Sequence, residues 1–246
     1  MRRGEADAAD SESRSRLKSA RINPGKREGT NMFVADYMTS NVVVVSSESP
    51  LAVAADLMAR RRIHHLPVLD PAGRLVGILS DRDIRSAVGF DRTLSDKLKV
   101  CEAMTHDPIT ITPVAGLDEA LEILAEGRFG ALPVVEGGDA ENPRLVGILT
   151  TVDLLRALRN LLGLDIPGRR LEVALPQGCG DLARVFKTLS EGGYPILSAV
   201  ASHLRTDGRE PSLYLRVPED APRGLERSLE RATAILLHAE PPRRRS

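Results

Sequence analysis

The chain has 246 residues, with 34 Lys and Arg balancing 34 Asp and Glu, 42% apolar residues, 3% aromatics and no Trp. That length allows more than one domain, and any core must be aliphatic, built from Leu, Val, Ile and Ala. Zero net charge leaves no electrostatic footprint for nucleic acid or an anionic membrane, and no apolar run approaches the roughly 18 residues of a membrane span.

Residues 1–31 hold eight bases and five acids among Ser, Gly and Ala, with Leu17 and Ile22 standing alone as apolar positions, and read as a disordered tail. The acids dilute the bases and no aromatic is present to stack on a base, so a nucleic-acid arm is not expected. Arg2 and Arg3 lead into no hydrophobic segment, which argues against a secretory signal. Met32 opens the first apolar segment, and the functional protein is expected to start there. Cys101 and Cys179 have no metal-type spacing, so a cytoplasmic protein without a metal site is expected.

In chain order, Val42–Val45 suggests a strand. Ser49-Pro50 offers a cap and an N1 proline to a helix whose face is Leu51, Ala54, Ala55 and Met58. Strands Leu66–Leu69 and Leu75–Leu79 follow, joined at the turn Asp70-Pro-Ala-Gly73, and GILSDRDI then leads into a second helix. The pattern then recurs. Val34-Ala-Asp-Tyr-Met-Thr39 aligns with Val100-Cys-Glu-Ala-Met-Thr105, and Leu66-Pro67-Val68 with Leu132-Pro133-Val134, both at an offset of 66. Gly77-Ile-Leu-Ser80 aligns with Gly147-Ile-Leu-Thr150 at 70, because the loop EGGDAENPR replaces DPAGR. Ile109–Thr112 is the second β-branched run, and Leu117, Ala120, Leu121 and Leu124 repeat the helical face. Each unit is thus β-α-β-β-α, about 60 residues, and too small to cover its own sheet alone.

Ser80-x-x-Asp83 and Thr150-x-x-Asp153 are the pattern that caps a helix N-terminus, worth about 1 kcal/mol with no ligand at all. The same geometry presents N–H groups and a positive dipole end to a phosphate, and a first-turn Asp can accept from both hydroxyls of a ribose. Gly77 and Gly147 would let a ligand approach the strand. Unit one places His64 and His65 before Leu66-Pro67, whereas unit two has Gly130 and Ala131 there. The first cleft therefore has the only nearby cationic candidates, near-neutral titrating histidines, and the second is expected to be weak, empty or suited to a less charged ligand.

After the linker Asp165-Ile-Pro167-Gly168, Leu171–Leu175 alternates as a strand. Leu182, Val185, Phe186 and Leu189 mark a helix ended by Glu191-Gly-Gly193. Ile196–Leu204, a hairpin loop at Thr206-Asp-Gly208-Arg, and Leu213, Leu215 and Val217 read as two strands. Leu225 and Leu229 lie on a helix, and Ile235–Leu237 closes the order β-α-β-β-α-β, a ferredoxin-like arrangement.

DYMT, RRIHHLPVLDPAGRLVGILSDRDI, EAMT, RFGALPVV and RLVGILTTVDL resemble a pair of CBS domains, over residues 32 to about 162. The stretch Gly180-Asp-Leu182-Ala-Arg-Val185 with Gly192-Gly193-Tyr194-Pro195-Ile196 resembles an ACT domain, although Cys179 stands where a Pro is usual. The whole order resembles the acetoin utilisation (AcuB) family. The resemblance implies an α/β (α+β) chain with a tail at 1–31, CBS domains at 32–97 and 98–163, an ACT-like domain at 169–240 and a tail at 241–246. It implies a non-catalytic, homodimeric regulator signalling to an unidentified protein partner, with an adenosyl ligand (AMP, ADP, ATP or S-adenosylmethionine) and no cofactor, nucleic acid or membrane. The nucleotide-binding candidates are His64, His65, Leu66, Pro67, Gly77, Ser80 and Asp83, with Leu132, Pro133, Gly147, Thr150 and Asp153. Gly180, Asp181 and Leu182 are candidates for an amino acid. The alternatives are a scaffold with degenerate clefts or an amino-acid sensor; no nucleophile elbow, Walker loop or metal triad points to an enzyme.

Overall fold

The computed structural model describes residues 32–91, 93–137, 143–202, 211–222, 224–233 and 236–239. Both tails, the hairpin loop at 206–209, the last two residues of the Ile196–Leu204 strand and Ile235 lie outside the described residues. The chain divides into two compact units, residues 1–155 and 156–246.

In the first unit, α1 (Val34–Tyr37), β1 (Val45–Ser46), α2 (Leu51–Arg61), β2 (His65–Leu69), β3 (Leu75–Ser80), α3 (Asp81–Val88) and α4 (Leu94–Lys97) precede a 3-10 turn at Val100–Glu102 and β4 (Thr105–His106). Then come α5 (Leu117–Gly127), β5 (Ala131–Glu136), β6 (Arg144–Thr150) and α6 (Thr151–Leu161). Strands β1-β2-β3-β4 form one sheet in that order, and β5 pairs with β6 in another. The β2–β3 turn forms as its residues suggest. Asp70 accepts from the Ala72 and Arg74 N–H groups at 2.9 and 2.8 Å, and Gly73 supplies the positive φ of 80°. Val42–Val45 contributes only the short β1, parallel to β2, and Ile109–Thr112 only an isolated parallel bridge from Ile111 to Val134. Helix α2 begins one residue later than expected: Pro50 is its extended N-cap, with no side-chain cap. In α5 the buried face is Leu117, Ala120, Ile123 and Leu124, and Leu121 is exposed. Leu121 repeats the position of Ala55, and Ile123 takes the core place expected of it.

The two repeats exchange their leading segments. Met32–Thr39 bonds to the second repeat: Val34 N–H to Ala115, Ala35 N–H to Pro113 and Thr39 N–H to Ile148, at 2.9–3.0 Å. Conversely, Leu98–Asp107 bonds to the first: Val100 N–H to Ser49 at 2.8 Å, Cys101 N–H to Ser47 at 3.0 Å, and β4 alongside Gly77 and Ile78 of β3. Val34 and Val100, equivalent in the alignment, are both fully buried. The first core accordingly mixes Leu51, Met58, Leu66, Val68 and Leu79 with Val100 and Met104 from beyond the first repeat. Burying each lead-in against the other copy is how two small units complete each other's hydrophobic cover.

The second unit runs β7 (Gly168–Ala174), α7 (Cys179–Glu191), β8 (Ser198–Ala201), β9 (Ser212–Pro218), α8 (Leu225–Thr233) and β10 (Leu236–Ala239). Its antiparallel sheet has the order β10-β7-β9-β8, the ferredoxin-like arrangement the sequence predicts. Leu171, Val173, Leu213, Leu215 and Val217 alternate onto one face, where Val185, Leu189, Leu225 and Leu229 of the helices cover them. Phe186 lies outside that core, 39% exposed. Helix α7 ends at Gly192, with Gly193 at φ 62°.

Candidate functional site

The two strand-to-helix turns expected to hold a ligand share one bonding pattern. At the start of α3, Ser80 N–H and Oγ both donate to Asp83 Oδ2, at 2.8 and 2.6 Å, and Asp83 N–H donates to Ser80 Oγ at 3.2 Å. At the start of α6, Thr150 and Asp153 repeat this at 2.9, 2.7 and 3.3 Å. Both are complete capping boxes. The strand before each turn is locked as well, since Asp81 N–H donates to the His64 carbonyl and Thr151 N–H to that of Gly130. These bonds spend most of the donors a phosphate would use: of the first three N–H groups of α3, only that of Arg82 takes no part in them. The Ser80 hydroxyl is likewise spent on Asp83. What stays available is Asp83 Oδ1, which makes no hydrogen bond among the described residues, on a carboxylate held rigid through its other oxygen.

The clefts differ in openness and charge. Asp83 is half-buried, whereas Asp153 is 5% exposed. His64 is exposed, and its Nδ1 lies 3.2 Å from Asp81 Oδ2, which also accepts from Arg85 at 2.7 Å. The Arg85 bond, more than that of His64, holds the Asp81 carboxyl below its usual range. His65, paired in register with Ser80, lies against Gly130; a Cβ there would meet its Nε2 at 2.3 Å. Burial lowers its pKa below the ordinary 6.5, only partly offset by Asp81 and Asp83, and His64 lowers it further. Burial thus disfavours the charged form of His65.

Other expected residues are occupied by the protein itself. A Cβ on Gly77 would lie 2.4 Å from Met104 Sδ, and one on Gly147 2.5 Å from Met38 Sδ. The space over these glycines thus belongs to the exchanged methionines and not to a ligand. Leu66 and Leu132 are buried core side chains, and Pro67 and Pro133 are buried beside them. Only their backbones could meet a ligand. In the second unit, Asp181 is 1% exposed; its carboxylate accepts from Gln177 N–H at 2.7 Å and pairs with Arg184. It closes the loop before α7, so the expected amino-acid contact has no available carboxylate there; Gly180 faces open space and Leu182 packs on the core. Sequence reasoning missed Met38 and Met104, although their recurrence in DYMT and EAMT was visible. Among the described residues, no group of His, Cys, Asp and Glu could hold a metal, and no helix is long and apolar enough to cross a membrane.

A family model described as CBS domain matches residues 34–89 and 100–160. A CBS domain-containing protein of Dictyostelium discoideum is 31% identical over 140 residues, 53% of this chain and 94% of that one. Inosine-5'-monophosphate dehydrogenase of Mycobacterium leprae is 32% identical over 169 residues, 68% of this chain but 30% of the dehydrogenase, so the chain spans under a third of that enzyme. Among solved structures, CBSX2 of Arabidopsis thaliana in complex with AMP matches with 31% identity and a TM-score of 0.44, covering 52% of this chain and 96% of that one. An acetoin utilization protein (AcuB) from Vibrio cholerae matches with 32% identity and a TM-score of 0.47, covering 55% and 96%.

Proposed function

The chain belongs to the CBS-domain-containing proteins, and from that premise we propose that it is a cytoplasmic, non-catalytic regulator that binds an adenosine-containing nucleotide in its first cleft. One observation carries the reading. Asp83 is fixed by Ser80 through one oxygen and keeps the other for an incoming donor pair, as the vicinal hydroxyls of a ribose would supply. Arg82 N–H and the exposed His64 edge, beside Arg85, offer the phosphate side its donors. The second cleft has the same box around a nearly buried Asp153 and no histidine before its strand, so it is the weaker site.

Calorimetric titration with AMP, ADP, ATP and S-adenosylmethionine tests this. Saturable binding that disappears in Asp83→Ala and survives in Asp153→Ala is the expected result; no saturable binding by the unmutated chain sinks the sensor reading and leaves a scaffold. We further propose a homodimer through α6. Helix α6 exposes Val152 and Leu155 where α3 has Arg82 and Arg85, and it adds exposed Leu158 and Leu161. A monomer by light scattering at micromolar concentration would refute it.

A further inference from the structure

The two repeats meet at one imidazole. His65 opens β2 opposite Ser80 of the first capping box, and its Nε2 lies so close to Gly130 of the second repeat that a Cβ there would sit 2.3 Å away. Gly130 stands where the alignment places His64, and its carbonyl accepts from Thr151 N–H at 3.1 Å, within the Thr150–Asp153 turn. A ring from the first repeat thus fills the side-chain space of the residue that fixes the second turn. The contact is one-sided. Ala131 occupies the position equivalent to His65 and ends at its Cβ, while His64 is 73% exposed and bonds within its own repeat to Asp81. Gly130 has no positive φ, so the space taken by the ring, and not the path of the chain, is what excludes a larger residue.

The charges acting on this ring come from the first turn. Burial disfavours its charged form most; Asp81 opposes that, His64 adds to it, and Asp83 opposes it. From the second repeat the ring meets Gly130, which has no side chain; Asp153 is tied to Thr150, and Arg128 is exposed. Because the contact with Gly130 is close-packed, a ring that turns or gains a proton must move that peptide or polarise it. Thr151 N–H, bonded to the Gly130 carbonyl, reports either change. We propose that His65 couples the two strand-to-helix turns, so that charge beside Ser80–Asp83 is sensed at Thr150–Asp153 through the ring's contact with Gly130. The coupling is built into the unliganded chain and is independent of the nucleotide reading; a ligand covering Asp83 would use it to reach the second cleft.

The test is amide and imidazole NMR of the full, unliganded chain over about pH 5 to 8. Thr151 N–H is expected to titrate with the midpoint of the His65 ring. That midpoint should fall in Asp81→Asn, fall less in Asp83→Asn and rise in His64→Gln. Each change should be a few tenths of a pH unit to about one, the span of one partly screened charge. Asparagine keeps an oxygen for Ser80 N–H, so the box survives Asp83→Asn. Conversely, Gly130→Ala expels the ring and should raise the His65 midpoint toward 6.5. His65→Phe keeps the bulk of the ring and should abolish the titration at Thr151. A Thr151 midpoint that ignores the three first-repeat substitutions, one that survives His65→Phe, or a His65 midpoint unmoved by Gly130→Ala would each overturn the proposal.

Discussion

Substituting Gly77 by Ala probes the exchange of lead-in segments more directly than any deletion. The added Cβ would meet Met104 Sδ at 2.4 Å, Met104 Cγ at 3.0 Å and the Thr105 carbonyl at 3.0 Å. Ordinary carbon contacts lie near 3.5–4.0 Å, so the sulfur must retreat by about 1 Å and the β4 backbone by several tenths. Met104 is 9% exposed and packed in the first core, which leaves it little room. Overpacking of this kind costs about 1–3 kcal/mol, against about 0.4–1 kcal/mol gained from stiffening the unfolded chain, so a net loss of roughly 1–2 kcal/mol is expected. At Gly147 the clash is with Met38 Sδ, and the Thr39 carbonyl stays at an ordinary 3.4 Å. Met38 is only half-buried and can swing away, so Gly147→Ala should cost less. Met104→Ala alone opens a cavity worth about 2–5 kcal/mol, and with it in place the methyl that Gly77→Ala adds fills space instead of overlapping. A double-mutant cycle should therefore show about 1–3 kcal/mol of favourable coupling. Urea unfolding followed by pulsed hydrogen exchange, peptide by peptide, isolates the first unit's transition. A neutral Gly77→Ala, or penalties that simply add with Met104→Ala, would refute the packing described here.

Three further outcomes are expected. Ser80→Ala removes the cap of α3 and should destabilise its first turn by about 1 kcal/mol, seen as faster amide exchange over residues 80–85 with α6 unchanged; equal exchange would contradict the capping geometry. His65 has a folded pKa below its unfolded value, so the unfolded chain binds the proton more readily. Its contribution is complete above about pH 6.5 and lost as pH falls below that, well before carboxylates such as Asp81, lowered from 3.8, titrate. The urea midpoint of the first unit should therefore drop between pH 7.5 and 5.5, and His65→Gln should flatten that slope; an unchanged slope argues against a buried ring. In the second unit, Arg169 is buried and paired with Glu226, and among the described residues its Nε has no hydrogen-bond partner. Glu226→Ala strands that charge and should cost about 2 kcal/mol or more, short of the 3–5 kcal/mol of a fully buried pair because Glu226 keeps 30% of its side chain exposed. Restoration of stability by the added change Arg169→Met would tie the loss to the stranded charge, and an undiminished loss would refute it.

The repeat, the two capping boxes and the ferredoxin-like order were legible because each rests on local chemistry. Ser80 and Asp83 must be three apart to cap, and Leu213, Leu215 and Val217 must alternate to face one way. Errors arose where a residue's partner is distant in sequence. Leu121 fits a helical stripe, yet Ile123 takes the core position, because the direction of burial on α5 is set by what packs against it. Gly77 and Gly147 announce a close approach without saying of what. The methionines that fill them come from 27 residues after and 109 residues before, and nothing local connects the two.

The same limit bears on which copy pairs with which. Self-alignment ranks Val34–Thr39 and Val100–Thr105 as equivalents, and either could complete either sheet, since both supply a buried Val, a Met and an extended Thr. Geometry settles it by exchange, and the exchange gives the duplicated motif its mechanical meaning. Gly77 is two strand positions ahead of Leu79 and three before Ser80, so Met104 packs on the same strand that leads into the Ser80–Asp83 box. Met104 sits on the segment joining the two repeats, and Met38 makes the reciprocal contact at Gly147. Each capping box therefore ends a strand whose glycine, three residues earlier, is covered by a methionine from the other repeat's lead-in. A displacement of β3 that reaches Gly77 would meet Met104 in a close-packed contact, and packed interiors transmit such displacements instead of absorbing them.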